Sequence, residues 1–293
     1  MTSQDAASLS VARSMKRTPS SPRTLFSSVM TGVACLCAAI ALIPLVAVLT
    51  YVVINGFSRL SPDIFVQLPP APGLKGGGFG NALVGTLLTV GLAAAFSIPF
   101  GVIGAIYLSE YARDTKLANV IDFFTNVLSG VPSIVVGAFA YSVVVLTTGT
   151  FSAVAGGVAL AVLMLPTIVR TSAEALEAVP NDFRQAAVGL GATRTQTTLQ
   201  IVLPAAVPAI TTGIMLAIAR AAGETAPVLF TASFNRFWNT TLWQPTATMS
   251  RLVFDFATAP YKNQQELAWA GSLVLVALVL VTSILSRIII RRR

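Results

Sequence analysis

Hydrophobic residues in this chain come in long unbroken runs and do not alternate with polar ones over the short periods of a soluble fold. Crossing the hydrocarbon core of a bilayer as a helix takes about 20 predominantly apolar residues. Six stretches meet that requirement: 29–54, 82–108, 120–147, 153–171, 205–232 and 267–290. The pattern predicts an all-α, polytopic membrane protein with six transmembrane helices in one domain, 29–293. The first run follows Arg13, Lys16, Arg17 and Arg23 as a signal peptide's would. It continues well past the roughly 7–15 apolar residues of such a segment, so it is expected to be retained as a span. Residues 1–28 ahead of it carry nine Ser or Thr and two Pro within the first 24, with almost no apolar periodicity. They are expected to form a disordered tail. The stretch "LPPAPGLKGGGFG" (68–80) is a Pro- and Gly-rich connector.

Composition agrees with the pattern. The chain is 55% hydrophobic and only 10% charged, against about 25% charged in a soluble domain. Its net charge of +8 forms no basic stripe with interleaved aromatics, so no nucleic-acid partner is expected. The charge follows topology instead. With the N-terminus cytoplasmic, the inner segments hold thirteen Lys and Arg, among them Arg113, Lys116, Arg170, Arg184, Arg194 and Arg287. The outer loops hold five: Arg59, Lys75, Arg236, Arg251 and Lys262. This asymmetry predicts both termini on the cytoplasmic side, with some added attraction to anionic membrane lipid. The chain has no histidine, which removes the commonest metal ligand and general base. No cofactor is expected. Cys35 and Cys37 lie in an apolar run and are expected to be buried, inert thiols.

The longest inner loop, 174–204, is too ordered to be a linker. Pro180, Asn181 and Asp182 signal a helix start, with an acid in the first turn. Phe183, Ala186, Ala187 and Leu190 follow at spacings of three and four, and Gly189 and Gly191 mark the end. A second short helix is expected over 193–201, stopping before Pro204. From the residues alone two readings stand: an elbow that docks into another protein's groove, or an amphipathic hairpin on the membrane surface.

The text of this loop resembles the EAA loop of permease subunits of ATP-binding-cassette (ABC) importers. That pattern has two alanines, a glycine four residues after the second, nine intervening residues, then I-x-L-P. Ala186, Ala187, Gly191, Ile201, Leu203 and Pro204 match it in type and spacing. The family's leading Glu is Gln185 here. "IGAIYLSEYA" (103–112), "GVPSIVVGAFAY" (130–141), "MLPTIVRTSAEALEAVP" (164–180), "ARAAGETAPVLFTA" (219–232) and "ELAWAGSLVLV" (266–276) are similar to the phosphate-importer branch of that family.

The resemblance implies a type I, MetI-like permease fold in a bacterial inner membrane. It also implies that the loop is the coupling helix, which fits a cleft on a cytoplasmic ATP-binding subunit dimer. The other expected partners are a homologous permease subunit and an extracytoplasmic phosphate-binding protein. No phosphate-binding G-x-x-x-x-G-K-[ST] loop occurs in the chain, so ATP hydrolysis is expected in a partner and none in this subunit. A permease of the same class for sulfate, molybdate or phosphonate is the alternative, separated only by that text. A secondary transporter would show inverted repeats and more intramembrane ionisable groups.

One stretch breaks the apolar pattern. In "LAIARAAGETAPVLFTA" (216–232), Arg220 and Glu224 lie four apart on one helix face, beside Gly223 and Pro227. Counted from Ala205, Arg220 sits roughly 22 Å along the span, in its outer half. Pro227 opposes helix continuation, so 223–227 is expected to bend or unwind, which is tolerated at that depth only against protein or water. Arg220 then either offers its forked donors to an oxyanion, oriented by Glu224, or pairs with Glu224 to fix packing between two permeases. Arg170, at the inner end of the fourth run, is a topological charge or an inner substrate contact. Pro132 and Ser133 are expected to kink the third run. The aromatic stretch 234–245 is expected at the outer membrane interface.

Overall fold

The structure is a computed structural model that describes residues 22–112 and 115–291. It divides into two compact units, Met1–Val53 and Ile54–Arg293. The described part of the first unit is helix α1 (Pro22–Phe57) as far as Val53. Proline at its start suits the first turn, where no backbone donor is needed, and residues 22–28, expected in the tail, are therefore helical. The remainder of that tail, with Arg13, Lys16 and Arg17, lies outside the described residues, as do Arg113, Arg292 and Arg293. Contrary to expectation, Cys35 and Cys37 are exposed on α1. A helix apolar on all sides relies on lipid to cover it.

The second unit is built around two helices. α2 (Gly80–Ile106) continues as a π-type turn through Tyr111, and α5 (Ala153–Glu177) is the most buried span. Without a hydrophobic drive between helices in lipid, close approach of small residues does the packing. The core around this pair accordingly mixes Ala93, Ala161, Ala217, Ala221 and Ala222 with Leu160, Met164 and Ile168. Buried hydroxyls close back onto their own helix, as in Thr89 Oγ1 to the Gly85 carbonyl at 2.9 Å. Thr86 does this and also accepts from the Met249 amide at 2.8 Å. It thereby satisfies an orphan donor at the start of α10 (Met249–Ala257), a short amphipathic helix that the hydropathy pattern does not reveal.

The third expected span is not a single rod. α3 (Lys116–Gly130) and α4, from Ser133 through Thr148 with a π-type turn inside, meet at 108°. Val131, preceding Pro132, is extended at φ −73°, ψ 130°, as steric conflict with the proline ring requires. Among the described residues five helices are long and apolar enough to cross a bilayer, and α3–α4 makes a sixth if the two count as one span. The last, α11, runs Lys262–Arg291.

The second helix of the 174–204 loop also differs from expectation. α7 (Arg194–Thr197) does not stop before Pro204; it passes through a π-type turn, Thr198–Val202, into α8 (Leu203–Gly223). A proline inside a regular helix collides with the carbonyl four residues back, and the wider π turn just ahead of Pro204 relieves that collision. The result is one helical rod of 30 residues, Arg194–Gly223.

Candidate functional site

Two places in the second unit carry the polar chemistry, one at each end of the α7–α8 rod. At the first, α6 (Asn181–Gly189) is the predicted coupling helix, with Asp182 in its first turn. It ends in a Schellman motif: the Gly191 amide donates to the Val188 carbonyl at 2.9 Å and the Ala192 amide to the Ala187 carbonyl at 3.0 Å. Gly191 sits at φ +86°, the left-handed region that favours glycine. Thr193 and Gln196 then form a capping box that starts α7. Of the motif residues, Ala187 is buried, Gln185, Ala186, Gly191 and Pro204 are exposed, and Ile201 and Leu203 are half-buried. Phe183 and Val188 are exposed too, and Leu190 is 90% exposed. The elbow thus presents an apolar tip that the other described residues leave uncovered.

The base of this elbow is held by residues the motif does not include. Glu110, on the π-type turn ending α2, is only 8% exposed in its side chain, and Arg184 of α6 is 18% exposed. Their contact is two-pronged: Arg184 Nη2 donates to Glu110 Oε1 at 2.6 Å and Nε to Oε2 at 3.3 Å. The same guanidinium donates to the carbonyl of Leu176, in the last turn of α5, at 2.8 Å and to that of Val179, just beyond the helix, at 2.6 Å. Arg194 donates to the Glu110 backbone carbonyl and lies 5.2 Å from the Tyr111 ring centre. Ser109, Glu110, Arg184, Val188 and Arg194 line a cavity of about 470 Å³ beside the elbow. Sequence reasoning counted Arg184 and Arg194 only as topological charge and passed over Glu110. The available signal was a lone acid one turn beyond an apolar run, on the side where the arginines collect.

At the other end of the rod the predicted break is present. α8 stops at Gly223, Glu224 is extended at φ −69°, ψ 124°, and the short α9 (Ala226–Thr231) restarts with Pro227 in its first turn. Arg220 Nε lies 3.4 Å from Glu224 Oε1, with Arg220 60% and Glu224 17% exposed. Among the described residues the Arg220 Nη atoms make no hydrogen bond, so two fork positions stay open. Ser250 of α10 donates to the Glu224 carbonyl at 2.9 Å, which fixes the unwound turn from outside the rod. Arg170 is elsewhere. It contacts Glu174 at 3.5 Å and Asn126 at 3.4 Å, over a cavity of about 260 Å³ that Asp122 and Glu177 also line. The three predicted pathway residues therefore form one pair and one separate cation, not a single cluster.

The binding-protein-dependent transport system inner membrane component family matches residues 97–293. The chain belongs to that family. It is a multi-pass inner-membrane component. It is 42% identical over 249 residues to the phosphate transport system permease protein PstA of Yersinia pestis, covering 85% of this chain and 84% of the relative. PstA of Haemophilus influenzae is 37% identical over 271 residues, 92% of this chain and 96% of the relative. Among solved structures, inward-facing conformations of the MetNI methionine ABC transporter align with TM-score 0.60 at 19% identity, covering 73% of this chain and 95% of that one. A bacterial alginate ABC transporter bound to its periplasmic protein aligns with TM-score 0.66 at 14% identity, covering 92% and 96%. At those identities the structural likeness establishes the fold, which is that of ABC-importer permeases.

Proposed function

We propose that this chain is one of two permease subunits that together form the pathway for inorganic phosphate in an ATP-driven importer of the inner membrane. The observation that carries the reading is the two-ended rod. The second limb of an exposed coupling elbow runs without interruption into α8, and α8 ends on an arginine whose Nη donors are unpaired among the described residues, beside an unwound turn. Arg220 lies roughly 26 Å along the axis from Leu203, close to a bilayer's hydrocarbon thickness. An intramembrane cation at a helix break is a substrate-path candidate by default, and a guanidinium matches an oxyanion edge with two parallel donors. Phosphate is named because the PstA relatives are named for its transport.

In this reading residues 29–293 form the permease domain with both termini cytoplasmic. Gln185, Ala186, Ala187, Gly191, Ile201, Leu203 and Pro204 form the surface for a cytoplasmic ATP-binding subunit dimer, which hydrolyses ATP. A homologous permease completes the pathway, and an extracytoplasmic phosphate-binding protein delivers the ion. Arg220 and Glu224 line the outer half of the pathway, and Arg170 lies near its inner end.

The test is uptake of radiolabelled inorganic phosphate in cells expressing Arg220→Gln in place of the native chain. Uptake is expected to disappear while all subunits still co-purify. Normal uptake reduces Arg220 to a packing element, and disassembly makes the pair structural. Sulfate or molybdate competing as well as phosphate against wild-type uptake would overturn the choice of ion.

A further inference from the structure

Glu110 belongs neither to the coupling motif nor to the pathway, yet three elements meet on it. Its carboxylate accepts both prongs of Arg184 from α6, and its backbone carbonyl accepts from Arg194 of α7. Through Arg184 it is also joined to the Leu176 carbonyl in the last turn of α5 and to the Val179 carbonyl just after it. Beyond the buried Ala187 and a bond from the Tyr111 hydroxyl to Thr195 Oγ1 at 3.3 Å, the elbow turns its apolar residues Phe183, Val188 and Leu190 outward. The flanking π-type turn, in which the Ala112 amide reaches back to the Tyr107 carbonyl at 2.9 Å, re-aims the end of α2 toward the elbow. A bidentate pair with low exposure is stiff in direction as well as distance. A force applied to α6 is therefore delivered to α2 and α5 together, the two helices at the centre of the unit.

Resting on the permease reading above, we infer that Glu110 is a positioning residue for transport. It clamps the coupling elbow to the ends of α2 and α5, so that movement of the elbow moves the spans. It touches neither nucleotide nor substrate; it acts through Arg184 and Arg194. Coupling between distant sites is carried by packed side chains, hydrogen-bond and salt-bridge networks and rigid elements, and without the clamp the elbow would pivot at Gly191 and Pro180 without taking the spans along.

The experiment uses the whole importer in proteoliposomes, measuring ATP hydrolysis and uptake of inorganic phosphate in the same preparation. Glu110→Gln keeps the side chain's shape and one acceptor but loses the charge. Arg184→Lys keeps the charge but loses the fork. Each variant is expected to retain the ATP-binding subunits and to hydrolyse ATP, with phosphate moved per ATP falling about tenfold. The double variant should be no worse than the worse single, because both remove one link. Unchanged phosphate per ATP in Glu110→Gln overturns the inference. Loss of the ATP-binding subunits also overturns it, since Glu110 would then serve docking. If Glu110→Gln does not assemble, Arg194→Gln decides: it removes only the bond to the Glu110 carbonyl and the Tyr111 contact, and full coupling there sinks the clamp. If wild type itself shows no ATP-dependent phosphate uptake, the permease reading falls, and Glu110 is not the cause.

Discussion

Gly191 shows how much one residue can decide. At φ +86° the Cβ of an L-residue crowds the following carbonyl oxygen, at a cost of roughly 1–2 kcal/mol. A Cβ built there meets no atom within 4 Å, so the strain is purely conformational and remains local. Gly191→Val is expected to unwind the Schellman turn, redirect Leu190 and lower both ATP-binding-subunit co-purification and phosphate uptake. The thermal midpoint of the isolated permease should fall by only a few degrees. A variant that retains full association and uptake would show that the elbow's docking does not depend on this turn. The role of Gly191 was legible in sequence because a helix stop writes a local signature. The Glu110–Arg184 pair was not, since its partners stand 74 residues apart and nothing in the text around either names the other. Nor does sequence show that Arg184 binds the carbonyls of Leu176 and Val179 where α5 ends, which turns a topological charge into a structural one.

At the scale of elements, what could be read was what the bilayer imposes. Length and apolarity gave the existence of the long helices, although the fifth is displaced from the expected 205–232 to Arg194–Gly223, and Gly223, Glu224 and Pro227 marked the break that ends it. The 108° turn between α3 and α4 was legible only as a kink at Pro132. A proline states that a helix must yield, while its angle comes from what the next helix packs against. Here α4 meets α9 so closely that a Cβ on Gly137 would lie 2.7 Å from the Pro227 Cα. That neighbour is backbone with no rotamer to change, so the helices themselves must separate. Gly137→Val is expected to destabilise the chain by about 1–3 kcal/mol, read as a lower thermal midpoint in detergent. Gly91→Ala on α2, where a Cβ meets nothing within 4 Å, should be neutral or slightly stabilising, because alanine is the better helix former. Equal midpoints for the two variants would mean that α4 and α9 are not held by close approach. α10 escaped the hydropathy pattern for another reason: nine residues carrying Arg251 and Asp255, paired at 2.8 Å, look like a loop until the buried Met249, Leu252 and Phe256 are seen to share a core.

For the whole molecule, the elbow and Arg220 are ends of one rod, and a rod transmits only if its far end responds. The exposed Gly223, just past Arg220, offers a position to observe that end, since a side chain there would meet no atom within 4 Å. The chain's two cysteines, Cys35 and Cys37, both lie on α1, so Cys35→Ser with Cys37→Ser gives a clean background for Gly223→Cys. In the assembled importer this thiol is expected to react with a membrane-impermeant maleimide added from the extracytoplasmic side. Trapping the ATP-binding subunits with a non-hydrolysable nucleotide should change its rate by at least about fivefold, the lower range of ordinary coupling energies between sites. Adding Glu110→Gln should erase most of that change if the clamp carries it, while leaving the rate without nucleotide near its starting value. A nucleotide response that survives Glu110→Gln would route coupling through the α7–α8 rod alone. A thiol indifferent to nucleotide in the unclamped and clamped proteins alike would separate the ATP-driven end of the molecule from Arg220 altogether.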